Sequence, residues 1–166
     1  MKRILGIDPG FGRLGLAVVE FSDQGRENLV YSDCLSTSSK LEFDDRLMKL
    51  SEAIGQVIGK YKPEVVGVEK IFFSGNQKTA LAVAEMRGAI IYQAKLAELP
   101  LVHLTPLEVK MALTSYGRAS KEQVEVMVEK LLNLKLIGKK DDEIDAIAIA
   151  LATLWQCRNL IHTRSA

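Results

Sequence analysis

Two cysteines and two histidines are all that this sequence offers as thiolate or imidazole groups. Cys34 and Cys157 stand far apart, which excludes a zinc knuckle, a CxxC redox pair and a disulfide framework; both are expected to be reduced and packed. His103 and His162 are equally isolated and are expected to be structural. No apolar run approaches the roughly 20 residues that cross a bilayer. No segment is low in complexity or poor enough in apolar residues to stay unfolded. The chain meets Asp8 too early for the apolar stretch of a secretory leader, so a cytoplasmic protein is expected. A strong net charge is missing too. The total is +1, too little to announce a polyanion partner for the whole chain. It is uneven, however. Residues 61–121 carry 8 basic and 5 acidic side chains, against 8 and 9 in residues 1–60 and 6 and 7 in residues 122–166. That local excess permits phosphate contacts without proving them.

What is present is apolar residue in quantity, 48% of 166. That suffices for one sizeable core, and residues 1–166 are expected to form a single domain. Residues 3–7 are a β-branched apolar run stopped by Asp8-Pro9-Gly10, a buried strand with a carboxylate at its C-terminal tip. Residues 15–21 and 28–37 read as two more strands, the first set off by Gly10, Gly12 and Gly15, making an antiparallel meander. Leu47, Leu50, Ile54, Ile58 and Tyr61 recur at helical spacing over 42–61, and Lys62-Pro63 ends that helix. Residues 65–68 are a short buried strand delivering Glu69 at its tip, and the intervening helix suggests a crossover into parallel pairing. A long helix is expected over 74–99, then a fifth strand over 101–104. Thr105-Pro106-Leu107-Glu108 is a helix start with a capping box, and 115–117 breaks that helix. Ser120 caps another, running to about 132. A basic linker follows at 135–140, and Asp141 or Asp142 is expected to cap the last helix, to about 161. The sum is an α/β fold: a mixed five-stranded sheet, meander first and parallel strands after, with helices on both faces. That is the ribonuclease H-like layout.

Four acids ask for more than solubility. Asp8 and Glu69 end strands, where ligand sites collect in sheets with parallel strands. Asp142 and Asp145 open the last helix three residues apart and share a face. Each has an ordinary alternative: Asp8 as a turn residue, Glu69 as a strand end in water, and the first acids of the last helix as caps. Asp145 resists it most, because the apolar run Ala146-Ile147-Ala148-Ile149-Ala150-Leu151 buries its helix, and an unpaired carboxylate there is costly. Convergent carboxylates would repel one another unless a cation joined them. With hard oxygen donors and no Cys or His set, the expected ion is Mg²⁺, two per site, with Mn²⁺ able to substitute.

Gly6-Ile7-Asp8-Pro9-Gly10, Val68-Glu69-Lys70-Ile71-Phe72, Met86-Arg87-Gly88, Gly117-Arg118-Ala119-Ser120-Lys121 and Asp142-Glu143-Ile144-Asp145-Ala146 fall in an order and spacing that resembles the RuvC family of Holliday-junction resolvases from end to end. The resemblance implies a homodimer that cuts four-way DNA junctions by two symmetric, Mg²⁺-dependent nicks, leaving 5′-phosphate and 3′-hydroxyl ends, beside a branch-migration complex of RuvA and RuvB. It implies that Asp8, Glu69, Asp142 and Asp145 are the metal-binding and catalytic acids, that Phe72 works against bases at the crossover, and that Lys110 and Lys121 serve DNA binding and catalysis. Phe11, Leu14, Glu85, Met86, Glu143 and Ile144 depart from the family pattern, and none removes a carboxylate.

Phe72 and Phe73 are adjacent in a polar segment near Lys70 and Lys78. Either both are core, or at least one stacks on an unpaired base, a contact worth roughly 1–3 kcal/mol. Lys70, Lys78 and Arg118 are the further candidates for DNA contact. Lys121 follows a helix N-cap, where a cation opposes the helix dipole, and that mismatch suits a phosphate partner. The small and apolar residues of helix 74–99 suggest a two-fold dimer contact. Two alternatives remain at this level: a ribonuclease H-like nuclease acting on structured RNA, and a junction-binding module that does not cut. An actin-like ATPase would need a second domain for which this length leaves no room.

Overall fold

The structure is a computed structural model and describes residues 2–22, 25–70 and 77–162. Five strands, β1 (Lys2–Asp8), β2 (Arg13–Phe21), β3 (Glu27–Ser36), β4 (Val65–Glu69) and β5 (Leu101–Leu104), form one sheet in the order β3-β2-β1-β4-β5. β1 pairs antiparallel with β2, and β2 with β3, while β1–β4 and β4–β5 are parallel. The expected meander and crossover are therefore both present.

Strand alternation assigns the faces. On β1, Leu5 and Ile7 enter one core with Leu50 and Ile54 of α1 (Phe43–Tyr61) and Met86 and Ile90 of α2 (Gln77–Leu96). Ile4 enters a second core on the opposite face, with α3 (Pro106–Thr114), α4 (Lys121–Leu132) and α5 (Asp141–His162). With period two, Gly6 and Asp8 follow Ile4 onto the α5 face. On β4, Val66 and Val68 join the α1/α2 core and Val65 the α5 core, which sends Glu69 to the α5 face as well.

α5 lies unusually close to the sheet because the sheet supplies glycine beneath it. A Cβ on Gly6 would strike the backbone of Ala146, and one on Gly15 the carbonyl of Asp142. Between those contacts Ala146, Ile147, Ala150 and Leu151 are wholly buried.

Local signals explain most helix ends. The α3 capping box has Glu108 N–H donating to Thr105 Oγ1 at 3.1 Å and Thr105 N–H donating to Glu108 Oε2 at 2.6 Å. Ser120 and Gln123 repeat the device on α4. Two expectations need correction. The helix expected to reach 99 stops at Leu96: Glu98 turns left-handed at φ 57°, and Leu99 N–H returns to the Ala94 carbonyl at 2.8 Å. Its expected start at 74–76 lies outside the described residues. Neither Asp141 nor Asp142 caps α5. The Lys140 carbonyl accepts the first helical bond from Ile144 N–H at 3.1 Å, so both aspartates lie inside the first turn. There they still complement the helix dipole.

Candidate active site

The C-terminal tips of two adjacent parallel strands and the first turn of α5 meet on one face of the sheet. Ile7 is paired with Val68, so Asp8 and Glu69, one residue on, end neighbouring strands and project to the same side. Asp142 and Asp145 enter from α5 above them. Asp8 carries the electrical consequence. Its carboxyl is pushed from 3.8 to about 7, first by burial and then by Asp145, Glu69 and Asp142, with Lys121 opposing. Burial and Asp145 likewise raise Glu69. Asp145 is raised by burial, although Lys121 pulls the other way.

The four acids share a field. Among the described residues, no three His, Cys, Asp or Glu side chains stand together as a metal-holding group. Two cations pair with the α5 acids. Arg13 Nε lies 3.1 Å from Asp142 Oδ2, and Lys121 Nζ lies 3.1 Å from Asp145 Oδ2 and 3.2 Å from Asp141 Oδ2. Cys34 Sγ is 3.8 Å from the same Asp142 oxygen; burial and that carboxylate push its thiol up. The four carboxylates are hard oxygen donors that fit a divalent cation, and the neighbours of Asp8 resist its ionisation without one.

Lys121 answers the dipole mismatch differently from the expectation. Its partners are Asp141 and Asp145, from another helix, before any phosphate is considered. Burial opposes its charge, but the two aspartates prevail and raise its pKa. A cleft of about 200 Å³ joins Glu69, Lys110, Lys121 and Asp145 over an apolar floor that includes Val109, Val124 and Ile149. Lys110 and Lys121 thus border one concavity with two of the acids. Lys70 and Arg118 are exposed, and Lys70 N–H donates to the Leu104 carbonyl at 2.7 Å, fixing the chain just past Glu69. Phe72 and Phe73 lie outside the described residues, as does the Lys78 side chain.

Sequence reading missed three groups. Arg13 was invisible because its partner is contributed by the far end of the chain. The loop after Asp8 is held by Phe11, which stacks on Phe43 with ring centres 4.5 Å apart, and by Arg46, 4.1 Å over the Phe11 ring and bonded to Thr37 Oγ1 at 2.8 Å. Glu143, between the paired acids, accepts from Ser32 Oγ and Lys139 Nζ, each at 2.6 Å. It ties the α5 N-terminus to strand β3. The departures at 11 and 143 are therefore supports of the site. Leu14 and Ile144 are simply core. His103 Nδ1 lies 3.0 Å from Arg87 Nη2, and the His162 side chain lies outside the described residues. Cys34 and Cys157 are free and buried. Among the described residues, no helix is long and apolar enough to cross a membrane.

Sheet order and helix placement define a ribonuclease H-like fold, with four acids on one face at its strand tips and helix start. A family model described as "Crossover junction endodeoxyribonuclease RuvC" matches residues 4–153. A protein of that name from Desulforamulus reducens is 43% identical over 148 residues, 89% of this chain and 90% of the relative. One from Caldicellulosiruptor saccharolyticus is 38% identical over 160 residues, 96% of each. Among solved structures, Thermus thermophilus RuvC superposes with a TM-score of 0.87 at 33% identity, covering 94% of this chain and 95% of that one. The same organism's RuvC in complex with Holliday junction substrate gives 0.85 at 31%. Yeast mitochondrial Ydc2, at 0.74 and 18%, shares the fold. The chain belongs to the RuvC family of crossover junction endodeoxyribonucleases.

Proposed function

We propose that this nuclease resolves four-way (Holliday) DNA junctions by paired symmetric nicks, using Mg²⁺ held by Asp8, Glu69, Asp142 and Asp145. The supporting observation is Asp8, driven to about 7 by burial and three neighbouring carboxylates, two of which, Glu69 and Asp145, line a cleft with Lys110 and Lys121. When bound, two divalent cations, Mg²⁺ or substituting Mn²⁺, supply the charge that activates a water for in-line attack at phosphorus and stabilises the leaving 3′ oxygen. The products carry 5′-phosphate and 3′-hydroxyl ends.

The chain's own residues do the remaining work. The strand tips fix Asp8 and Glu69 relative to each other, and the first turn of α5, clamped to β3 through Glu143, fixes Asp142 and Asp145. Lys121, which borders the cleft and pairs with Asp141 and Asp145, would stabilise negative charge developing on the phosphate. Lys110 lines the same cleft and holds the backbone. Lys70, Lys78 and Arg118 contact phosphates farther out, and Phe72 and Phe73 stack on bases opened at the crossover.

Two symmetric cuts need two sites, and a two-fold dimer through α2 supplies them. Leu81, Tyr92 and Leu96 leave large apolar surface exposed along that helix, as such a contact requires. On this reading residues 1–166 are one nuclease domain, cytoplasmic, acting beside the RuvA–RuvB branch-migration complex. Cleavage of end-labelled mobile and immobile four-way junctions, against a structured RNA of equal length, tests the proposal. Metal-dependent paired nicks in the DNA alone are expected. Cleavage of the RNA at equal rate, or binding without cutting, would replace it.

A further inference from the structure

We infer that Arg13 is a built-in counter-cation of the acidic site, which holds Asp142 in the cation-free protein and competes with the divalent ion for it. The inference rests on the proposed role of Asp142 as a ligand.

The geometry starts from β2. Arg13 and Gly15 are two residues apart, so they occupy the same face of the strand, the one beneath α5. Gly15 has no side chain to hold α5 away, and the Asp142 carbonyl fills that space. The first turn of α5 is thereby lowered until the Asp142 carboxylate reaches Arg13 Nε at 3.1 Å. The two partners differ in exposure. Asp142 is 17% exposed and Arg13 58%. The carboxylate is thus held in place by the fold, while the guanidinium is free to swing into solvent. Among the described residues, the Cys34 sulfur also lies 3.8 Å from that oxygen. It brings no positive charge.

Lys121 is placed differently. It spans Asp141 and Asp145, and retains a carboxylate partner when Asp145 is taken. Arg13 must give up Asp142 when a cation arrives. A half-exposed ion pair is a modest competitor. Its loss should therefore tighten the site without transforming it.

The test is a Mn²⁺ titration of the DNA-free protein, read by the loss of free-ion signal in electron paramagnetic resonance. Arg13→Gln should bind Mn²⁺ about three- to tenfold more tightly than wild type, with Arg13→Lys between them. Arg26→Gln, which removes the same charge at the far end of the β2–β3 hairpin, should match wild type. Equal or weaker binding by Arg13→Gln overturns the inference, because a merely structural arginine would weaken the site when removed. Equal tightening by Arg26→Gln overturns it as well, by reducing the effect to net charge. Undiminished Mn²⁺ binding by Asp142→Asn would instead remove the ligand role itself, and the inference with it.

Discussion

Gly15 lies directly beneath the carbonyl of Asp142, so closely that no side chain fits between strand β2 and the first turn of α5. That contact sets how near the α5 acids come to Asp8. Gly15→Ala should therefore displace α5 outward. Overpacking of this kind costs about 1–3 kcal/mol, readable as a lowered urea midpoint. The same variant should lose junction cleavage beyond its loss of folded protein. Wild-type activity in the folded fraction would show that the α5 height is immaterial.

Asp8 gives a pH dependence whose sign is fixed. Its folded pKa is raised, to about 7 against 3.8. In metal-free protein the folded state holds the extra proton between those values, so stability falls as pH rises through that window. Asp8→Asn removes the penalty. It should be more stable than metal-free wild type at pH 8 by roughly 1–3 kcal/mol, with the gap closing toward pH 4. Adding Mg²⁺ should stabilise wild type more than the variant. Chemical denaturation at several pH values, with EDTA or Mg²⁺, reads both effects. Identical pH profiles would deny that Asp8 is under strain from its neighbours.

Glu143 has the opposite sign. Burial opposes its ionisation, but Lys139 and Ser32 more than offset that and lower its pKa. Its contribution is present above about 4.5 and is lost as pH falls through the depressed value. Glu143→Gln should cost about 1–3 kcal/mol at pH 7 and progressively less in acid. A cost independent of pH would assign Glu143 a packing role only.

Lys121 pairs with Asp141 and Asp145 at an exposed position, where such pairs contribute about 0–1 kcal/mol to stability. Lys121→Ala should leave the unfolding midpoint nearly unchanged and lower the single-turnover cleavage rate about 10²-fold. An unaltered cleavage rate would remove its role at the phosphate.

Leu81, Tyr92 and Leu96 are the exposed apolar residues of α2. Sedimentation equilibrium at micromolar concentration should give twice the 18.4 kDa chain mass. Leu81→Lys with Leu96→Lys should return the monomer. A monomeric wild type would leave two symmetric cuts without a structural basis.

The strands, the capped helices and the four acids were legible because their signals are local: period-two apolar runs, turn residues, capping boxes, and carboxylates at the ends of apolar segments. Arg13 and Asp142 were not legible as a pair, since the hairpin and α5 meet only in the fold. The same holds for Lys121 with Asp145, and for Ser32 with Glu143. The α5 cap was misread for a simpler reason. Three consecutive acids suit a cap and a first turn equally, and the Lys140 carbonyl decides between them.

The account stands on four carboxylates acting as one cation-holding unit. Cleavage and binding of a labelled mobile junction by Asp8→Asn, Glu69→Gln, Asp142→Asn and Asp145→Asn, with Mg²⁺ present, test this most directly. Each variant should still bind the junction and should cut it at least 10²-fold more slowly than wild type. Wild-type cutting by any one of the four, or by wild-type protein in EDTA, would contradict it.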